Sequence, residues 1–144
     1  MADIVCDYEN FILNVEVTLM SGQKQYDNEG EPVARHVGKT KEATGKPTYC
    51  FFIAPKISEA TIAHFFVLTK TPIKLYGGKS MIIPLELATF KKMLADSKKA
   101  SYIPNPQQIL DLVNKSKSLA EEATDEIDWF NRTKEVALNW LKVS

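Results

Sequence analysis

Two acidic residues near the start of the chain stand where carboxylates could hold a metal ion. Asp3 and Glu16 interrupt otherwise apolar runs in the stretch ADIVCDYENFILNVEVTL, which spans residues 2–19. Carboxylate oxygens are ligands that Mg²⁺ prefers, and bound Mg²⁺ lowers the pKa of a coordinated water and neutralises charge on a phosphoryl group. The two residues are therefore a candidate site for metal-assisted phosphoryl chemistry.

These two acids lie side by side if the stretch folds as a β-hairpin. Its pattern predicts two strands, Asp3–Tyr8 and Phe11–Met20, joined by a tight turn at residues 9 and 10. A turn centred there places Asp3 directly opposite Glu16 on the same sheet face. Because like charges in that arrangement destabilise a hairpin, a cation bound by both carboxylates and the Val17 carbonyl would explain the pair.

The alternative is that the two acids lie on a solvated hairpin face and bind nothing. Acidic pairs are common on exposed sheets, so spacing alone leaves both interpretations open. Strand alternation assigns the other face of the second strand to the core, through Leu13, Val15, Val17 and Leu19. Asp7 is a rival first acid, but its predicted partner Ile12 is assigned to the face opposite Glu16.

The rest of the chain alternates helical and strand patterns. Residues 23 to about 41 are compatible with a helix that Gly30 and Pro32 interrupt or restart. The apolar run Thr48–Ala54 fits a buried central strand, and Ser58 is a candidate N-cap for the next helix. Further predicted elements are short strands about Gly77 and Gly78, an amphipathic helix with Leu87, Phe90 and Leu94 on one stripe, and helices near Pro106–Leu119 and Glu121–Lys142. This order predicts an α/β fold with helices packed on a mixed sheet.

Composition limits the class of protein. The 144 residues suit one domain, and 44% apolar and 25% charged residues are ordinary for a soluble globular protein. No stretch approaches a membrane span and no secretory signal is visible, so we expect a cytoplasmic protein. Cys6 and Cys50 are isolated, which disfavours a structural zinc site. A net charge of zero argues against nucleic-acid binding by bulk electrostatics alone.

Several stretches together resemble the PD-(D/E)-x-K nuclease superfamily, most closely type IIS restriction endonucleases of the AlwI kind and more distantly the FokI cleavage domain. ADIV stands where the superfamily has Pro-Asp, EVTL where it has Glu/Asp-x-Lys, and GQKQYDNEGEPVARHV follows. The later order is also similar, with CFFIAP as a central strand, EATIAHFF as a helix and KSMIIPLELATFKKML as a strand then a helix. The resemblance covers residues 3–94 and implies a restriction-endonuclease-like core with Mg²⁺-dependent DNA endonuclease activity.

The resemblance also assigns roles to single residues. Asp3 and Glu16 match the two acids and would ligate Mg²⁺, for which Mn²⁺ can substitute. Thr18 occupies the position of the superfamily lysine, which helps orient or activate the attacking water. Because threonine carries no charge, Lys24 or Arg35 is a candidate substitute; otherwise a hydroxyl and another polar group suffice, or activity is weak or lost.

The segment after the second acid would line the same site. In this resemblance Gln25 orients water or metal, and the expected phosphate contacts are Lys24, Arg35 and His36. Gln25, Glu29 and His36 share a helix face if the helix continues through this segment. The alternative for each is a solvated helix face.

Two further residues are weighed and given lesser roles. His64, inside IAHFF, is interpreted as a partly buried core residue. Lys79 follows two glycines in KLYGGKS, which lacks the spacing of a phosphate-binding loop, although the lysine could still contact a DNA phosphate.

The whole chain, residues 1–144, is predicted to be a single cleavage domain. An α/β core would occupy residues 1–100 and C-terminal helices residues 104–144, with no separate DNA-recognition domain. The expected partners are double-stranded DNA and either a second copy or a larger recognition subunit, since cutting both strands needs two sites. Trp129, Phe130 and Trp140 would supply that interface or cover the sheet. The alternatives are a non-catalytic nuclease-fold partner subunit and a repair or recombination nuclease of the same fold.

Overall fold

A four-stranded mixed sheet forms the centre of the computed structural model, which describes residues 2–100 and 105–141. Its strands, adjacent in chain order, are β1 (Ile4–Asp7), β2 (Ile12–Val17), β3 (Thr48–Ala54) and β4 (Met81–Glu86). β1 pairs antiparallel with β2, while β2, β3 and β4 run parallel. The predicted mixed sheet and the predicted bounds of the central strand are confirmed.

The hairpin has the predicted register. Val5 pairs with Asn14 and Ile4 with Val15, so one further step along the chain places Asp3 opposite Glu16. Both strands are shorter than predicted, because β1 begins after Asp3 and β2 ends at Val17.

The assignment of the apolar face of β2 was correct only for its first half. Leu13 and Val15 are buried, whereas Val17 is 50% and Leu19 85% exposed. The strand ends at Val17 and the chain leaves the sheet there, so alternation no longer describes which side chains face the core.

The segment that connects β2 to β3 is helical without interruption from Gly22 to Thr44. It comprises α1 (Gly22–Gln25), a π-helical turn (Tyr26–Gly30) and α2 (Glu31–Thr44). Gly30 has φ −57° and ψ −62°, so the chain stays right-handed where an interruption was predicted. Pro32 lacks the N–H of a regular helix, and the wider π turn lies directly before it. The helix adapts to the proline without breaking.

The remaining helices lie close to their predicted positions. They are α3 (Glu59–Lys70), α4 (Leu87–Lys99), α5 (Pro106–Glu122) and α6 (Glu126–Leu138). Ser58 caps α3 as predicted, because its hydroxyl accepts a hydrogen bond from the Thr61 N–H. Of the one or two short strands predicted about Gly77 and Gly78, the one after the glycines is confirmed as β4, whereas a 3₁₀ turn (Lys74–Tyr76) and an isolated bridge between Ile73 and Gly78 precede it.

Each face of the sheet carries its own apolar core. α2 and α3 pack around Phe52 and Phe65 on one face, and α4 packs around Ile83 and Met93 on the other, while α5 and α6 contribute buried residues to both cores. On α4 the buried residues are Thr89 and Met93, whereas Leu94, predicted to face the core, is 49% exposed. No helix within the described ranges is both long and apolar enough to cross a membrane.

The C-terminal tryptophans pack against neighbouring helices. Trp129 is fully buried and its indole N–H donates to the Ser116 carbonyl at 3.1 Å. The Trp140 indole donates to the Met93 carbonyl at 3.3 Å, which ties the end of the chain to α4. Of the two predicted roles, packing is therefore the one in which both side chains are engaged.

We expect Gly38→Ala to destabilise the fold by about 1–3 kcal/mol, because overpacking against rigid neighbours costs that much. An added Cβ at Gly38 would lie 2.8 Å from the Cα of Tyr76, a backbone atom that cannot move independently. Gly30→Ala is the matched control, since its Cβ would meet ring carbons of Tyr26 and His64 at 3.4 Å. Urea unfolding should show that only the first variant loses stability; equal effects would contradict the proposed backbone contact.

Candidate active site

Glu16 is a buried acid on the face of β2 that α2 covers. Only 5% of the residue is exposed. Beside it Asn14 is fully buried and donates from Nδ2 to the Thr40 hydroxyl of α2 at 3.3 Å. The polar residues of β2 thus lie in the interior between strand and helix, and the interpretation of a solvated hairpin face does not hold for Glu16.

His36 on α2 holds the Glu16 carboxylate. Its Nδ1 lies 3.2 Å from Oε2 and 3.3 Å from Oε1, so the tautomer protonated at Nδ1 donates to this carboxylate. Burial raises the pKa of Glu16, and the hydrogen bond from His36 opposes that shift. His36 was predicted to contact phosphate; the structure gives it a partner within the site and makes it an orienting group for Glu16.

Asp3 completes the acidic pair from the start of the chain. Its Oδ2 accepts a hydrogen bond from the Val17 N–H at 2.7 Å, which fixes an exposed side chain at the edge of the sheet. The negative charge of Asp3 also raises the pKa of Glu16, so the two carboxylates act on each other. Val17 contributes to the site through this amide, while a ligand role for its carbonyl oxygen stays a prediction.

Cys50 responds to the same negative charge from the neighbouring strand. It pairs with Asn14 and is completely buried. Burial raises the pKa of its thiol well above the ordinary value, and the charges of Glu16 and Asp3 raise it further. Cys50 is therefore a neutral packing residue beside the acidic pair.

The donor atoms at this site suit Mg²⁺. Mg²⁺ in proteins is commonly held by one or two carboxylates and completes its octahedron with water and substrate phosphate oxygens. Asp3 and Glu16 supply two carboxylates, although within residues 2–100 and 105–141 no three His, Cys, Asp or Glu side chains form a metal-holding group. A two-carboxylate site that is open to water and substrate is consistent with both observations.

Thr18 directly follows β2 and stabilises the turn after it. Its N–H donates to the Ile53 carbonyl at 3.0 Å, and its hydroxyl oxygen accepts from the Met20 N–H at 3.1 Å. The side chain is nearly buried. Thr18 therefore has an evident local role in the turn and does not replace the charge of a lysine.

Gln25 differs from its predicted role in orienting water or metal. The side chain is fully buried, and its Nε2 donates to the carbonyls of Met20 and Lys56 at 2.9 and 2.8 Å. Its Oε1 accepts from the Ser58 N–H at 2.8 Å. Both amide hydrogens are thus used by backbone, and Gln25 joins the β2–α1 turn to the start of α3.

The two predicted basic residues lie on the helical segment that follows β2. Arg35 pairs with Glu31 one turn earlier, at 3.3 Å, and its side chain is 45% exposed. Lys24 is exposed on α1 and forms no ion pair with the described residues. Their expected contacts with phosphate stay predictions.

Asp7, the rival first acid, is set apart for a different reason from the predicted one. It pairs with Ile12 as expected, but alternation places Ile12 on the same face as Glu16, so the assignment to opposite faces was wrong. Asp7 instead lies at the far end of the hairpin and accepts an ion pair from Lys46 at 2.8 Å. Distance along the strand and this cation separate it from Glu16.

His64 is half-buried between α3 and the π turn, as the interpretation of a partly buried core residue predicted. Its ring meets Tyr26 edge-on with centroids 5.5 Å apart. Burial lowers the pKa of its imidazole. It packs against Tyr26 of the π turn and is not part of the acidic pair.

Asn14 is the residue that sequence reasoning missed. Its Oδ1 is buried and has no hydrogen-bond partner among the described residues. The available signal was a polar residue at every second position from the middle of β2 onward, namely Asn14, Glu16 and Thr18. Their alternation with apolar residues marks a face that is polar and yet covered by a helix.

Comparison with known proteins finds a matching family and related solved structures. A model of the AlwI restriction endonuclease family matches residues 1–93. Among solved structures, the chain is similar to the small subunit, R.BspD6I2, of the heterodimeric restriction endonuclease R.BspD6I, with a TM-score of 0.72 and 26% identity. That similarity covers 93% of this chain and 67% of the subunit. No curated protein matches the sequence.

We expect Gln25→Met to lower the free energy of unfolding by about 3 kcal/mol, since it leaves buried backbone groups without partners. Gln23→Met is the matched control: Gln23 is exposed, its side chain bonds only Asp27, and a change of about 0.5 kcal/mol or less is expected. Urea denaturation measures both. A Gln25→Met protein of normal stability without DNA cleavage would instead support the predicted chemical role.

Proposed function

The chain belongs to the AlwI restriction endonuclease family, and from this premise we propose that it is a Mg²⁺-dependent DNA endonuclease that hydrolyses phosphodiester bonds at Asp3 and Glu16. The observation that carries the proposal is the buried Glu16 carboxylate, held by His36 and electrostatically coupled to Asp3. A buried acid is costly unless it has partners or a function, and here a second acid lies beside it.

The residues of the site have separable tasks in this proposal. Asp3 and Glu16 hold the ion, for which Mn²⁺ can substitute; when bound, it supplies an acidified water and neutralises charge on the phosphate. The Val17 N–H fixes Asp3, and His36 fixes Glu16. Water adds to phosphorus while the bond to the 3′ oxygen breaks, which leaves 5′-phosphate and 3′-hydroxyl ends.

Lys24 is the favoured substitute for the lysine that Thr18 replaces. It lies on α1, which follows the end of β2 directly, and no carboxylate within the described residues neutralises it. Arg35 already pairs with Glu31. In this proposal a flexible lysine on α1 orients water or contacts the attacked phosphate.

We further propose that the chain acts with a second polypeptide. The similar R.BspD6I2 is one subunit of a heterodimeric enzyme, and a single site cuts only one strand per encounter. The second chain would be either another copy or a larger DNA-recognition subunit. A subunit that has lost chemistry is the alternative function, favoured by the missing lysine at Thr18.

Replacement of either acid should abolish metal-dependent cleavage. We expect Glu16→Gln and Asp3→Asn to reduce plasmid nicking in Mg²⁺ or Mn²⁺ by about a hundredfold or more, because each removes a charged ligand worth several kcal/mol of transition-state stabilisation. Asp7→Asn is the matched control, since it removes an acid of the same hairpin that pairs with Lys46. EDTA should stop cleavage by the wild-type chain.

The same assay separates the alternatives. Cleavage that persists in Glu16→Gln would exclude the acidic pair as the active site. If the wild-type chain alone does not cut, Mn²⁺ binding measured by water-proton relaxation distinguishes two cases. Binding lost in Glu16→Gln indicates a metal site that needs a partner, whereas absence of binding favours the non-catalytic subunit.

A further inference from the structure

A polar cavity lies at the opposite end of the sheet from Glu16. Its volume is about 220 Å³, and it lies where β3 and β4 begin, between the end of α2 and the face of α5. The polar side chains that line it are Lys41, Thr48, Tyr49, Thr69, Lys79, Asn114 and Lys117. This group takes no part in the proposed cleavage.

Three of the lining residues are lysines, and none of the lining residues is acidic. Lys41, Lys79 and Lys117 form no ion pair with any carboxylate in the described part of the chain. Three positive charges around one small space repel each other unless an anion joins them. In a chain whose net charge is zero, this is a local concentration of positive charge without its own counter-charge.

Lys41 is the lining residue whose side chain is held in place by a contact within the protein. It is half-buried on α2, and its Nζ donates to the Lys79 carbonyl at 2.8 Å. That bond uses one of the three ammonium hydrogens and fixes the direction of the side chain. Burial lowers the pKa of Lys41, so a nearby anion would restore the stability of its charged form.

The other donors lie on or next to strands and helices. Asn114 and Lys117 are three residues apart on α5 and therefore share one face of that helix. Tyr49 lies on β3, and Lys79 comes just before β4. Thr48 and Thr69 donate their hydroxyls to the carbonyls of Lys46 and Phe65, so the ammonium, amide and phenol groups are the donors that remain for a ligand.

We propose that this cavity binds a phosphate group. Ammonium groups bind phosphate oxygens as point charges, and an amide and a phenol add neutral hydrogen bonds. Two sources share this chemistry: a free phosphate monoester or inorganic phosphate, and a phosphate of the DNA backbone. Thr48 pairs with Ile12, four residues before Glu16, so the cavity lies about 13 Å along the strand from that acid. The proposal does not require that the chain cuts DNA.

The test uses the full chain and two double variants with equal loss of charge. Lys79→Met/Lys117→Met removes two exposed cavity lysines and keeps their aliphatic stems. Lys91→Met/Lys98→Met is the control on exposed positions of α4. In the first arm, inorganic phosphate is titrated while the amide chemical shifts of Asn114 and Tyr49 are followed. In the second, binding of a DNA duplex without divalent metal is measured by anisotropy across a salt series.

Either arm can support the proposal. Phosphate binding that weakens by about tenfold in the cavity variant alone identifies a free phosphate ligand, because charged hydrogen bonds are lost. A slope of log affinity against log salt that falls by about 1 in the cavity variant alone identifies a DNA phosphate. Equal effects in both variants, or none in either arm, overturn the proposal. Neither arm depends on cleavage, so its result is independent of the proposed activity.

Discussion

The packing of α2 over the polar face of β2 is the interaction on which the rest of the site depends. A carboxylate that is only 5% exposed would be strongly destabilising without a partner. α2 provides that partner in His36, and one turn later Thr40 accepts from Asn14. One helix thus supplies a hydrogen-bond partner to two polar residues of β2, and any shift of α2 along the strand would break both contacts.

Three distant features fix the position of that helix. Gln25, on the helical segment that leads into α2, makes two hydrogen bonds to the backbone before α3 and one to the Met20 carbonyl before α1. The π turn carries the chain past Pro32 without a break. Gly38 lets the middle of α2 approach the Tyr76 backbone so closely that a single methyl group would not fit. None of these residues touches the acidic pair, yet together they determine where His36 meets Glu16.

Local signals in the sequence were sufficient for much of this structure. The hairpin register follows from two turn residues, the central strand from a continuous apolar run, and the cap of α3 from Ser58. Tertiary context decided the rest. Gln25 lies in a polar stretch typical of a solvated helix, yet it is fully buried, because Lys56 and Ser58, more than thirty residues later in sequence, contribute two of its three partners. Strand alternation assigns Val17 to the core, yet Val17 is exposed, because β2 ends at this residue. Helix coverage of the Glu16 face could not be read from β2 alone.

A net charge of zero conceals a separation of charge along α2. Near its middle His36 faces the acidic pair, and five residues later Lys41 faces a cavity lined by two further lysines. At 1.5 Å per residue these positions are about 7.5 Å apart along the helix axis. α2 therefore links the proposed cation site beside His36 with the proposed anion-binding cavity beside Lys41. Lys41 also lies in the last turn, where exposed carbonyl groups favour a positive charge. Composition argued against nucleic-acid binding by bulk charge, and that argument leaves local phosphate recognition untouched, because such recognition depends on where the lysines lie and not on their sum.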